Sequence, residues 1–421
     1  MPQRSIAQHP WSKWFKAWQG LDWLLIFLPV VMTIFASIVI LSTQINLEQT
    51  AFGWNHLIMG SLSLVLTLLI ARSRYENLIR WQWIVYAATN LSLLAVIFVG
   101  TVGSGAQRWI TIGGFNVQPS EFAKLGLIIT LAGVLRGREA STILGLVKAL
   151  AITAVPWSLV FLQPDLGTSL VFGAITLGML YWGNANPGWL ILLISPLVSA
   201  IVFHFSLPIW LGWVALMGVI GWFTLPRPLL SSIAAIVMNL ISAKLGEVLW
   251  GVLKDYQKDR LILFLDPDKD PLGGGYHLIQ SRIAIGAGRL WGRGLHEGTQ
   301  TQLNFIPEQH TDFIFSAVGE EWGFIGAIAL LLVFWLIFLR LVIIAQNAKD
   351  NFGSLLAIGV LSMLVFQVCV NLAMTIGLAP VTGIPLPWMS YGRSALLTNF
   401  LALGLVESVA NHRHRLKFTD Y

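Results

Sequence analysis

Charge and sulfur are what this chain has least of. Asp, Glu, Lys and Arg make up 11% of its 421 residues, against about 25% in a soluble globular chain. There is one cysteine, Cys369, so neither a disulfide framework nor a cysteine metal site can be built. Inside its apolar run it is expected to be a small buried hydrophobe. The short alternating segments of a transmembrane β-barrel are missing. So are low-complexity tracts, soluble-domain stretches and a clear internal repeat. No small-residue cleavage site follows the first apolar run, so that run is expected to be an uncleaved span. What the chain has instead is hydrophobicity: 56% apolar residues, with 19 Trp and 23 Phe. Runs long enough to cross a bilayer recur along its length. The formal charge of +6 does not point to nucleic acid, because the basic residues flank apolar runs as the positive-inside rule requires.

The expected fold is an all-α polytopic membrane protein, one bundle forming a single domain over residues 1–421. Spans are expected at 21–43, 51–71, 81–101, 119–136, 142–162, 165–184, 187–205, 208–224, 228–251, 313–343, 353–378 and 392–411, about twelve. Loops holding Arg72, Arg74 and Arg80, then Arg136, Arg138 and Lys148, then Arg227, then Arg340 and Lys349 fall on one side, together with Arg4, Lys13 and Lys16 and the tail's Arg413, Arg415 and Lys417. That side is expected to be cytoplasmic, with both termini inside and residues 254–312 forming a long extracytoplasmic loop. This loop also carries cations, Lys254, Lys258, Arg260, Lys269, Arg282, Arg289 and Arg293. Long loops obey the charge rule weakly, so these cations are candidates for holding an anionic group.

Polar residues concentrate in four islands. The first holds Arg108 and Trp109, two glycines, and then Gln118-Pro-Ser-Glu-Phe-Ala-Lys124. Pro119 suits a first helical turn. Glu121 and Lys124 share a helix face three residues apart. Ionisable residues in membrane helices are costly and mark functional paths, although a structural ion pair satisfies the same pattern. Trp109 also fits an interfacial anchor. The second island, Gln163-Pro-Asp-Leu-Gly-Thr168, reads as a tight turn with Asp165 or Thr168 capping the next helix. The third, 266–321, packs acids, amides, histidines and turn residues. Asp266, Asp268 and Asp270 lack the glycine and glutamate of a calcium loop, and Gly273-Gly-Gly275 lacks the lysine of a P-loop. His310 has no second histidine at zinc-ligand spacing. The fourth runs from Asn371 through Gly377-Leu-Ala-Pro380 and Pro385-Leu-Pro-Trp-Met-Ser-Tyr-Gly392 to Arg393 and Ser394. Its prolines and glycines imply non-helical backbone, tolerated at membrane depth only when buried in protein or lining a cavity. By span parity all four islands fall on the outer half of one bundle.

Six blocks in one order resemble the SEDS family (shape, elongation, division, sporulation), and within it the RodA-like elongation branch. They are Gly105-Ala-Gln-Arg-Trp-Ile110, Gln118 to Lys124, Gln163 to Thr168, Asp266-Pro through Asp270-Pro-Leu-Gly-Gly-Gly-Tyr276 to Gln280-Ser281, Pro307-Glu-Gln-His-Thr-Asp-Phe-Ile-Phe315 and Pro385 to Gly392. The Asp266-Pro start and Gly298-Thr-Gln-Thr-Gln-Leu303 favour that branch over the division branch. The resemblance implies a peptidoglycan glycosyltransferase of the bacterial cytoplasmic membrane. Such an enzyme polymerises lipid II on the outer face for cell elongation and shape, beside a class B penicillin-binding protein that supplies transpeptidation. By motif position it makes Asp270 the catalytic carboxylate. Candidate substrate-binding residues are Arg108, Trp109, Glu121, Lys124, Asp165, Gln280, Ser281, Glu308, His310, Ser390 and Arg393. No metal site is assigned. A divalent cation is one alternative to Arg108, Lys124 or Arg393 for stabilising a departing pyrophosphate. Two departures stand out: the family has about ten spans, which makes 208–224 and 228–251 the extra pair, and Arg393 replaces a common glycine. A lipid-II flippase, a division-type polymerase and a scaffold for the partner enzyme are the competing functions. Polar groups gathered towards one side favour an enzyme over a flippase, which needs them through the full depth.

Overall fold

The computed structural model describes residues 18, 20–44, 51–103, 106–137, 139–252, 255–271 and 275–413. The motif residues Gly105 and Leu272 to Gly274, and the cations Arg4, Lys13, Lys16, Arg138, Lys254, Arg415 and Lys417, lie outside the described residues.

Each expected span is a helix. In chain order these are α1 (Trp23–Ser42), α2 (Ala51–Arg72), α3 (Leu78–Val99), α4 (Pro119–Leu135), α5 (Ile143–Leu162), α6 (Leu166–Trp182), α7 (Pro187–Phe205), α8 (Leu207–Thr224) and α9 (Pro228–Val252). After the central loop come α13 (Ile314–Gln346), α14 (Asn351–Thr375) and α15 (Arg393–Asn411). Ten of the twelve are long and apolar enough to cross a membrane on that ground alone. The exceptions, α4 and α6, have 17 residues each, about 25 Å of helix against a hydrocarbon core of about 30 Å. Nearly all of α4 is buried by its neighbours, so protein rather than lipid surrounds it. Short polar side chains set the starts: Asp22 accepts from Leu25 N, Asn186 from Gly188 N and Asp350 from Gly353 N.

Three findings go beyond the sequence reading. The first island is an antiparallel sheet of β1 (Thr101–Gly103), β2 (Ala106–Ile112) and β3 (Phe115–Val117). Its second turn places Gly113 and Gly114 at φ 57° and 82°, where a β-carbon is disfavoured. The central loop is mostly structured, as α10 (Asp255–Leu265), a 3₁₀ turn at Pro267–Lys269, α11 (Tyr276–Ala287) and α12 (Thr299–Gln302). Cys369 is exposed on α14, which corrects the expectation of a buried thiol. Period 3.6 turned it outward, and a polytopic helix is apolar on its outer face too.

α13 is broken at Gly323, which has φ 65° and ψ −162°. The segment after α11 repairs the break. Phe324 N and Ile325 N donate to the carbonyls of Arg289 and Leu290, while Arg293 N and Gly294 N donate to those of Glu320 and Glu321. Interrupted membrane helices require such substitute partners. Glu320 then accepts from Gln300 N and Thr301 N at 2.8 and 2.9 Å, capping α12. Glu321 accepts from Ser42 Oγ of α1.

The main core joins α1 to α6 with α13 to α15. The helices α7, α8 and α9 share a separate cluster of Trp210, Val214 and Ala243. Asn239 stitches it by donating to Ser195 Oγ at 2.9 Å, and Trp210 Nε1 donates to Ser199 Oγ at 2.9 Å. The extra pair of the sequence reading thus packs largely with α7.

Candidate functional site

The four islands meet at one end of the bundle. Arg108 Nη2 donates to Pro164 O at 2.6 Å, and its Nη1 lies 3.8 Å from Asp165 Oδ1. Gln118 N donates to Ser394 Oγ at 3.0 Å, and Gln118 Nε2 to Asp165 Oδ2 at 3.4 Å. From the central loop, Gln257 Nε2 donates to Pro164 O at 3.4 Å. His310 O accepts from Tyr391 N at 2.9 Å. Asn371 Nδ2 bridges the carbonyls of Asp312 and Ile384 at 3.0 and 2.8 Å. The other end holds different pairs: Lys349 with Glu76, Asn351 with the Arg136 carbonyl, and Arg340 with Asp22.

Asp165 has two duties. As the N-cap of α6 it accepts from Thr168 N at 3.1 Å and Thr168 Oγ1 at 3.0 Å. It also faces Arg108. The capping reading of the sequence holds, and it fixes the carboxylate beside a cavity of about 90 Å³. Arg108 and Arg260 are among the residues that line that cavity, with Leu166, Leu170 and Leu261 supplying aliphatic side chains and Gln257 and Thr382 polar ones. Two cations beside aliphatic walls suit an anionic headgroup carried on a hydrocarbon chain.

Asp312 lies beside Gly383, its Oδ2 3.6 Å from where a β-carbon on that glycine would stand. Burial, with the charges of Glu308 and Asp165 adding, pushes its carboxyl up to about 6 against the opposing pull of Arg260 and Arg108. His310 stacks on Phe52 at 5.2 Å and lies 5.9 Å from Tyr391. Burial lowers its imidazole below the ordinary value despite Glu308, and burial lowers His277 likewise. From sequence Arg260 was only one of seven loop cations that could hold an anionic group, and Asp312, the acid two residues after His310, was not named as a site residue.

Asp270 is exposed and closes the 3₁₀ turn. Its carbonyl accepts from Gly275 N at 3.0 Å. A methyl group on Gly275 would strike the carbonyls of Pro267 and Asp270, so only glycine lets this turn close. Asp266 lies 3.8 Å from Lys269 at the surface. Among the described residues, Asp270 is not part of the cavity wall. It lies one turn beyond α10, which is.

Other candidates are placed as follows. Glu121 and Lys124 form a 2.8 Å ion pair with side chains 3% and 1% exposed, within the bundle rather than on its rim. Ser281 and Ser390 are buried and committed: Ser281 Oγ to Ser316 Oγ at 2.6 Å and Thr375 O at 2.7 Å, Ser390 Oγ to Leu386 N at 2.8 Å. Trp109 and Gln280 are half-buried, on β2 and α11. Glu308 accepts from Thr311 Oγ1 at 3.1 Å. The Arg393 guanidinium stacks on Phe115 at 5.3 Å, tying α15 to β3. Among the described residues no three His, Cys, Asp or Glu side chains cluster to hold a metal.

The fold and this end of the bundle define a polytopic helical membrane protein with a polar site roofed by structured loops. The chain belongs to the FtsW/RodA/SpoVE family of cell cycle proteins, whose profile matches residues 19–215 and 210–415. It is 34% identical to the peptidoglycan glycosyltransferase RodA of Treponema pallidum (strain Nichols), over 92% of this chain and 97% of that one. It is also 34% identical to the peptidoglycan glycosyltransferase MrdB of Escherichia coli (strain K12), over 98% and 99%. A solved chain from work on the structural coordination of polymerization and crosslinking by a peptidoglycan synthase complex superposes with a TM-score of 0.70 at 28% identity, over 94% of this chain and all of that one.

Proposed function

We propose that this chain is a peptidoglycan glycosyltransferase of the elongation type, which polymerises lipid II into glycan strands. The observation that carries the reading is its full-length similarity to two proteins so named. The cavity supports it, since Arg108 and Arg260 beside aliphatic walls match a diphosphate on a lipid. The site lies at the outer face of the bacterial cytoplasmic membrane, with both termini inside and residues 254–312 as the catalytic loop of one domain spanning 1–421. Basic-residue asymmetry supports that orientation. A class B penicillin-binding protein acts beside it, in line with the relative solved in a synthase complex.

In the reaction a sugar hydroxyl oxygen bonds to an anomeric carbon as the bond to the lipid pyrophosphate breaks. Asp270 takes the hydroxyl proton as the bond forms, worth about 10²–10⁴-fold for a positioned base. The pyrophosphate leaves as an anion towards Arg108 and Arg260, so no general acid is required. The test is polymerisation of purified lipid II by the purified chain with its transpeptidase partner. Asp270→Asn should lose activity by about that factor, and Asp266→Asn should retain most of it. An Asp270→Asn protein that makes strands near the parental rate refutes the assignment.

A further inference from the structure

Four deeply buried polar side chains, Glu121, Lys124, Gln367 and Thr398, lie beneath the site, where α4, α14 and α15 meet. Three contacts fix how these helices face. Gln118 N donates to Ser394 Oγ, joining the starts of α4 and α15, which run in the same direction. A methyl group on Gly359 would meet Ile128, so that face of α14 lies against α4. One on Gly353 would lie 3.1 Å from Val409 Cγ1, which turns another face of α14 to α15. At about 100° per residue, Glu121 and Lys124 lie within about 40° of Ile128 and so face α14. Thr398 lies about 40° from Ser394 and about 20° from Val409, between α4 and α14. Gln367 lies about 80° round α14 from Gly359, on the side of Gly353, between α4 and α15. At about 1.5 Å per residue all four fall within roughly 6 Å of one depth.

All four are at most 2% exposed. An ammonium has three donors, and among the described residues Lys124 Nζ has one hydrogen-bond partner, Glu121 Oε2. Gln367 Nε2, Gln367 Oε1 and Thr398 Oγ1 are buried with no protein partner. Buried polar groups are almost always satisfied, by protein or by water. An ion pair, an amide and a hydroxyl converging on one seam supply the two to four polar partners that a buried water needs.

We propose that this junction is a bound-water site, and that Gln367 is a positioning residue which holds the Glu121–Lys124 pair through that water. The effect on turnover rests on the glycosyltransferase reading; the water site does not. X-ray radiolytic hydroxyl labelling of the intact purified chain modifies buried side chains only where bound water lies against them. Met363, 0% exposed and four residues from Gly359, lies level with Lys124 and is the reporter. It should be labelled in the parent and severalfold less in Gln367→Leu. An unlabelled Met363 in the parent overturns the water site. Gln367→Leu should also lower lipid II turnover by about tenfold with KM unchanged, roughly one hydrogen bond to a charged group. Gln367→Asn should recover part of the loss. Parental turnover in Gln367→Leu overturns the positioning role. Should Gln367→Leu fail to fold, Thr398→Val, close in shape, takes its place with the same two readouts. A parent that polymerises nothing refutes the glycosyltransferase reading, while the labelling still decides the water site.

Discussion

Replacing Lys124 by methionine keeps the length of the side chain and removes its charge. At 2.8 Å and an effective dielectric of about 20, the attraction to Glu121 is about 6 kcal/mol. Taking each ion out of water costs several kcal/mol, so the intact pair comes close to balance. The single variant does not, because it leaves Glu121 charged and unpaired at 2% exposure. That costs about 3–5 kcal/mol, a large part of a total stability of about 5–15 kcal/mol. Tryptophan fluorescence during thermal unfolding in detergent reads the effect, with 19 Trp for signal. Lys124→Met should melt well below the parent. The double variant Glu121→Gln/Lys124→Met should regain most of the loss, since neither remaining group is charged, yet stay inactive if the pair serves the reaction. A single variant that melts with the parent, or a double variant less stable than the single, refutes the reasoning.

Asp312 gives a pH signature. Its carboxyl is raised from 3.8 to about 6 by burial, so the fold binds its proton more tightly than the unfolded chain does. The Asp312 contribution to stability therefore falls as pH rises from about 4 to about 6 and is constant above; the difference in melting between parent and Asp312→Asn should show that fall across the range. Gly323→Ala puts a β-carbon at φ 65° and against the backbone of Gly292, and should cost at least roughly 1–3 kcal/mol by chemical denaturation. In a Cys369→Ala background, cysteine at Lys269 should react with an impermeant thiol reagent in intact cells and cysteine at Lys349 should not; the reverse pattern inverts the topology.

The spans were legible because a bilayer imposes length and apolarity together, so even α4, with its ion pair, stood out. Parity brought the four islands to one end, and Arg108 to Asp165, Gln118 to Ser394 and His310 to Tyr391 meet there. What stayed hidden has particular causes. Period 3.6 separates the faces of a polytopic helix poorly when both are apolar, which is how Cys369 was misplaced. Ser281 and Ser390 sit in motifs as polar as their neighbours, and only coordinates reveal hydroxyls already committed to Thr375 O and Leu386 N. The glycine-rich run to Gly294 was legible only as part of the long extracytoplasmic loop. Its backbone donors and acceptors are instead the missing partners of a broken helix some thirty residues later.

That repair has a mechanical meaning. Gly292 and Gly323 leave no side chain between the loop and α13, and hydrogen bonds run across the seam in both directions. A joint of this kind has no slack. Any tilt of α13 carries the segment from Arg289 to Gly294 with it, and through Glu320 also α12. The segment from Arg289 to Gly294, the start of α12 and the two halves of α13 are thus held together as one hydrogen-bonded unit across the break.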